Sequence, residues 1–192
     1  MTAASVTLSE LLERVKHEKL PPVHQWDPQS CGEMDMRIAR DGTWYYMGSP
    51  IERAALVRLF STVLRRDSDD EHYLVTPSEK LRIRVDDAPF VAVELGVSGT
   101  GRNQQLIMRT NIDDAVMIDQ SHPIWVRYPN EGDQPAPYVL VRDRLEALVS
   151  RSVYYELVEL GAERQLDGET KYGVWSAGQF FVLGKLDPVS DM

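Results

Sequence analysis

The chain has 192 residues, of which 43% are hydrophobic and 27% are charged, the usual mix of a globular protein. Its formal net charge of -9 disfavours bulk binding to nucleic acid or to an anionic membrane surface, because both carry negative charge. Its single cysteine, Cys31, excludes an intrachain disulfide and a cysteine-based zinc site, which fits a cytoplasmic protein.

The first 32 residues predict a helix followed by an extended arm. A capping box at Thr7–Glu10 starts the helix, and leucines at helical spacing continue it to about Lys16. Charged side chains within this pattern, such as Glu13, argue against a secretory signal. Trp26 is the large apolar anchor of the arm.

A period of two then predicts a strand over residues 34–38, and Asp41-Gly42 predicts a hairpin turn after it. Ser49-Pro50-Ile51-Glu52 is a second capping box with proline at the favoured first helical position. We therefore expect an amphipathic helix that begins at Pro50 and runs to about residue 65.

Most of the remaining chain predicts strands, with one further helix over residues 151–160 that ends at Gly161. The predicted strands cover residues 73–76, 81–85, 90–95, 106–110, 115–118, 124–128, 138–141, 145–149, 172–175 and 179–184. This pattern indicates an α+β fold in which antiparallel sheets pack against a few helices.

Two stretches of the chain resemble each other, at residues 38–50 and 140–150. Each passes through a strand to a serine and a helix, and a tyrosine-led strand follows each helix. We interpret them as two related strand-helix-strand repeats, the alternative being that serine recurs as a common N-cap. The predicted organisation is an N-terminal helix and arm, a first repeat, a second repeat and a tail, at residues 1–32, 33–100, 101–187 and 188–192.

Several segments together carry a resemblance to a known family. They read RDGTWYYMGSPIERAALVRLF, LIMRTNIDDAVMID followed by HPI, YVLVRDRLEALVSR and YGVWSAGQFFVLG. The chain resembles a family of bacterial proteins defined as domain of unknown function 1285. The resemblance implies repeated strand-and-helix units and suggests ligand sensing or signalling. It carries no established activity and no catalytic residue.

The sharpest local signal is the alternating segment at residues 80–84, which places three cations on one face of a strand, namely Lys80, Arg82 and Arg84. Their counterions are either the protein's own carboxylates or a bound anion. The candidate carboxylates on neighbouring strands are Asp35, Glu94 and Asp113.

If the counterion is a ligand, arginines would pair with it, Asn111 would orient it and tryptophans would form an apolar wall. The candidate ligand-binding residues are Arg82, Arg84, Arg109, Asn111, Trp44 and Trp175. The alternative for the tryptophans is a core position in which the indole N–H is bonded to the backbone.

Other clusters carry weaker chemistry. The glycines near residue 100 lack dinucleotide-loop spacing and precede a strand, so we predict no cofactor. The acidic segment 67–72 lacks the glycine and glutamate of a calcium loop. Asp113, Asp119 and His122 could serve a metal-assisted reaction, although Asp and His also form ordinary turns.

We predict a non-catalytic ligand-binding or sensor module that acts in signalling. Its partner would be a small anion, bound near the basic strand face or between the repeats, or another protein. The alternatives are a metal-assisted hydrolase or transferase that uses Asp113, Asp119 and His122, and a purely structural interaction domain. The identity of the ligand and the oligomeric state are left open.

Overall fold

The computed structural model describes residues 20–128 and 135–185, so the helix expected near residues 7–16 lies outside the described residues. Helix α1 spans Ala54–Thr62 and helix α2 spans Arg151–Glu159. Strands β1 to β6 span Ser30–Ile38, Trp44–Tyr46, Ser49–Pro50, Leu64–Arg66, His72–Val75 and Glu79–Val85. Strands β7 to β12 span Phe90–Ser98, Gln105–Thr110, Ala115–Met117, Ile124–Arg127, Ala136–Arg142 and Leu145–Val149. Strands β13 to β15 span Ala162–Leu166, Glu169–Ser176 and Gln179–Lys185.

The first two sheets share one topology. The first has the order β3-β2-β1-β6-β5-β4 and the second, taken from its other edge, has the order β9-β8-β7-β12-β11-β10. Each consists of two three-stranded antiparallel units joined by a central parallel pair, β1 with β6 and β7 with β12. The sheets are therefore mixed rather than purely antiparallel. Strands β13, β14 and β15 form a third, antiparallel sheet.

The repeated unit is thus a six-stranded sheet and not the strand-helix-strand unit expected from the sequence. Helix α1 lies between β3 and β4, whereas α2 follows β12, so the helices occupy different places in the two units. The sheets change between β6 and β7, at residues 86–89. The glycine-rich segment around residue 100, where the sequence suggested a boundary, connects the antiparallel strands β7 and β8.

Helix α1 begins later than predicted, with Arg53 as its N-cap and no side-chain hydrogen bond at that cap. Ser49 and Pro50 instead pair with Tyr46 and Tyr45 as a short strand. Met47 and the glycine after it both have positive φ, 48° and 77°, as a tight two-residue hairpin requires. The first two residues of the predicted capping box therefore form a short strand and do not cap the helix.

One hydrophobic cluster contains buried side chains from all three sheets and from helix α2, and partly buried side chains of helix α1 pack against it. The alternation predicted for the first strand is confirmed, because Met36 and Ile38 are buried in this cluster. Ile83 of β6 and Phe90 of β7 lie in it as well, so one core joins the two six-stranded sheets. Neither helix in the described part of the chain has the length and hydropathy of a membrane-spanning segment.

Candidate functional site

A cavity of about 740 Å³ lies in the first sheet where its two central strands separate, and we call it the β1–β6 cavity. Glu33 pairs with Arg82, and the next pair along the strands is Arg37 with Arg84. Strand β1 therefore advances four residues while β6 advances two, which leaves residues 34–36 and Ile83 without a partner on the opposite strand. This register shift opens the sheet.

The cavity has a buried floor and an exposed rim. Buried Met36, Ile83 and His72 line it, together with the outward-facing Arg82 and Arg84. Since alternate residues of a strand face opposite sides, residues from both faces of the sheet line the cavity.

Two buried side-chain nitrogen atoms at the floor have no hydrogen-bond partner among the described residues. His72 is only 9% exposed, and its Nε2 atom makes no hydrogen bond with any described residue. Arg66 on β4 lies directly opposite His72 on β5. Its Nε atom is also buried and also makes no hydrogen bond with any described residue. Unsatisfied buried polar atoms are costly, and both residues line the cavity, so a side-chain movement that exposes these atoms would let a ligand satisfy them.

Burial, together with the positive charges of Arg66 and Arg144, lowers the pKa of His72 from its usual 6.5 to about 4, while Asp70 opposes this shift. The imidazole is therefore neutral at pH 7, and its Nε2 atom donates or accepts according to the tautomer. The direction of these charge effects indicates a net positive field at the floor.

The rim arginines are held by carboxylates. The Arg37 Nε atom donates to both carboxylate oxygens of Asp86 at 3.0 Å, and Arg82 pairs with Glu33. Arg84 has only a 3.9 Å contact with Asp86 and is 72% exposed. Exposed pairs of this kind contribute little free energy, so a ligand can exchange with them at small cost.

Residues of the second sheet contact side chains that line the cavity. Arg144, in the turn between β11 and β12, donates to Asp70 at 2.6 Å and to the Asp67 carbonyl. Glu146 of β12 is buried, accepts two hydrogen bonds from Arg127 and lies 3.8 Å from an Arg66 nitrogen. The cavity floor is thus tied to both sheets.

The structure brings together two of the predicted site residues, Arg82 and Arg84, at the cavity rim. Their counterions differ from those predicted, since Glu33 and Asp86 take the arginines and Asp67 takes Lys80 at 2.9 Å. Asp35 lines the cavity without an ion pair to any described residue.

The other predicted site residues lie away from the cavity. Arg109 pairs with Glu94 and Asp113, and Asn111 bridges the Val91 N–H and the Gly42 carbonyl. Trp44 is buried against Phe60, and among the described residues its indole nitrogen has no hydrogen-bond partner. The guanidinium groups of Arg102 and Arg164 lie 4.9 and 5.0 Å from the centre of the Trp175 ring.

The predicted cluster of Asp113, Asp119 and His122 is also not brought together as one site. His122 Nδ1 lies 3.4 Å from an Asp119 oxygen, but Asp113 lies beyond the other end of β9 and contacts Arg58 and Arg109. Within residues 20–128 and 135–185, no three His, Cys, Asp or Glu side chains are placed to hold a metal ion.

Sequence reasoning missed the acidic segment at residues 67–72 as part of a site. Asp70, Glu71 and His72 line the cavity, and Asp67 holds Arg65 and Lys80. The available signal was the histidine that closes this acidic segment at the start of a fully buried strand, an unusual position for a titratable side chain.

A pair of matching mixed sheets with a polar cavity in the first defines a two-part β-rich protein. The chain belongs to the DUF1285 family, as the resemblance predicted. The domain of unknown function (DUF1285), N-terminal domain, matches residues 21–88. The protein of unknown function (DUF1285), C-terminal domain, matches residues 89–183.

Two solved structures are similar to this chain. A DUF1285 family protein from Silicibacter pomeroyi DSS-3 is 47% identical, with a TM-score of 0.80 over 92% of this chain and 95% of that chain. A DUF1285 family protein from Shewanella baltica OS155 is 26% identical, with a TM-score of 0.53 over 66% of this chain and 91% of that chain. No curated protein matches the sequence.

Proposed function

We propose that the protein is a non-catalytic ligand-binding module of a sensor type, and that its ligand occupies the β1–β6 cavity. The observation that carries this proposal is the pairing of a cavity of about 740 Å³ with two buried, unpartnered polar atoms, His72 Nε2 and Arg66 Nε. Small-molecule sites typically have cavities of roughly 300–1,000 Å³, and this cavity lies within that range.

A sensing role is supported by the position of the floor residues between the two sheets. Arg66 lies near both Asp70 and Glu146, and residues of the second sheet hold these carboxylates through Arg144 and Arg127. A ligand that engages Arg66 would redistribute these contacts, which links occupancy to the interface. The exposed free thiol of Cys31 supports a cytoplasmic setting for this module.

A thermal-shift panel tests the proposal. The compounds are nucleotides, phosphorylated sugars, amino acids, short carboxylates and divalent metals. A ligand at about 100 times its Kd stabilises the folded state by about 2.7 kcal/mol, which raises Tm by roughly 5–10 °C in a chain of this length.

Variants locate the effect within the molecule. Arg66→Lys and His72→Gln should each abolish the ligand-induced rise, measured against each variant's own Tm. Arg53→Lys is the matched control, because Arg53 is exposed and does not line the cavity. A panel without any response, or a response that survives both cavity variants, would overturn the proposal.

A further inference from the structure

The charges around the β1–β6 cavity are mixed in sign. Its carboxylates belong to Glu33, Asp35, Asp70, Glu71 and Asp87, and its guanidinium groups belong to Arg37, Arg66, Arg82 and Arg84. A simple anion would meet several carboxylates here, and a simple cation would meet several arginines. Electrostatic complementarity therefore favours a ligand that carries both signs.

The groups available to a ligand are separated in space. At the floor, Arg66 Nε and His72 Nε2 are buried and have no hydrogen-bond partner among the described residues, and the charges of Arg66 and Arg144 act on His72. At the rim, Asp35 and Glu71 are exposed, and neither makes an ion pair with another residue in the described ranges. The remaining lining carboxylates already accept from arginines.

We propose that the β1–β6 cavity binds a small amphoteric molecule, with its carboxylate or phosphate group against Arg66 and His72 and its ammonium group against Asp35 and Glu71. This inference rests on the proposed function and names the ligand class for the same cavity. Both residues line the cavity, and once a small side-chain movement exposes them, Arg66 Nε and the Nε2–H tautomer of His72 donate hydrogen bonds to an anionic oxygen. Such charge-assisted hydrogen bonds are about twice as strong as neutral ones.

Matched probes test the requirement for two charges. γ-Aminobutyrate carries both groups, whereas butyrate and butylamine each carry one, and longer and shorter ω-amino carboxylates vary the spacing. Phosphoethanolamine, ethyl phosphate and ethylamine form the equivalent set for a phosphate. The two sets distinguish an amino carboxylate from an aminoalkyl phosphate as the source of the shared chemistry.

The readout is the ring resonances of His72 in the full-length protein labelled with ¹³C-histidine. The chain has four histidines, so the His72 signals are identified by their absence from the His72→Gln spectrum. Titration of each probe then gives its Kd at the floor of the cavity.

We expect at least one amphoteric probe to bind at least about tenfold more tightly than both of its singly charged analogues. Asp35→Asn should reduce this preference over the anionic analogue to within about threefold, because it removes a partner of the ammonium group. Glu52→Gln, a substitution at an exposed carboxylate outside the cavity, should leave the preference unchanged.

The other outcomes are distinguishable. If butyrate or ethyl phosphate binds as tightly as its amino analogue, the cavity is a simple anion site, so the ligand class is wrong while the proposed function stands. Binding of the amines alone likewise overturns the ligand class only. If the preference survives Asp35→Asn unchanged, the placement of the ammonium group is wrong. If no probe and no compound of the wider panel shifts His72, both proposals fail.

Discussion

The charge of one residue, His72, is coupled to the stability of the whole fold. Its environment disfavours the imidazolium form because burial removes water and because Arg66 and Arg144 are nearby cations. In the unfolded chain the same ring is hydrated and titrates near pH 6.5. As the pH falls below this value, the unfolded state takes up a proton that the folded state does not bind until about pH 4.

The folded protein should therefore lose stability between pH 7 and pH 5, and His72 should account for about 2 kcal/mol of this loss. Urea unfolding at a series of pH values measures it. His72→Gln should remove that part of the slope, since glutamine does not titrate. The same substitution at exposed His24 is the control. Identical slopes in the wild type and His72→Gln would contradict the prediction.

At the scale of single elements, local patterns predicted most strands but not their partners. The alternating burial of β1 and β6 follows from the period of two, and the positive φ of Ala177 and Gly178 fits the predicted last hairpin. The predicted start of α1 was wrong because Ser49 and Pro50 pair with β2 instead. A local capping pattern gives no information about such a contact with another strand. Gly161 is required because a Cβ there would lie 2.4 Å from the Tyr172 ring, and not because it has a positive φ.

The candidate site also depends on strand pairing that local sequence patterns do not predict. Alternation identified Arg82 and Arg84 as outward-facing, but the cavity depends on a register shift between two strands that are far apart in sequence. Asn111 and Arg109 have residue types suited to a ligand, yet they hold the fold together through Gly42 and Glu94. Residue chemistry alone does not distinguish a binding group from a structural one.

A buried serine at the end of β14 connects the third sheet to the second. The Ser176 hydroxyl donates to the Ile118 carbonyl at 2.6 Å and accepts from the Leu106 N–H at 3.0 Å. Ser176→Ala leaves both backbone groups unsatisfied and should lower the free energy of unfolding by about 1–3 kcal/mol. Ser121→Ala, at an exposed turn, is the matched control. Equal unfolding free energies for the two variants would show that the hydroxyl does not anchor this sheet.

At the scale of the whole molecule, polar contacts join the two six-stranded units beside their shared core. Arg142 of β11 donates to the Ser61 carbonyl at 2.8 Å, pairs with Asp114 and lies 5.0 Å over the Phe90 ring. Both members of the ion pair are nearly buried, at 16% and 10% side-chain exposure. Arg144 makes a comparable bridge that is far more exposed.

This difference in burial predicts a difference in energy. Arg142→Met leaves the Asp114 carboxylate buried without its cation and should cost about 3–5 kcal/mol of unfolding free energy. Arg144→Met should cost no more than about 1 kcal/mol, because water screens an exposed pair.

Urea unfolding followed by tryptophan fluorescence and by circular dichroism measures both variants, and the shared core predicts coincident transitions. The double variant Arg142→Met with Asp114→Leu should recover most of the lost stability, because no buried charge then remains unpaired. If the double variant is as unstable as Arg142→Met alone, the lost stability comes from the Ser61 and Phe90 contacts of Arg142 rather than from the unpaired Asp114 carboxylate. If Arg142→Met gives two separate transitions, that arginine is required for the two sheets to unfold as one unit.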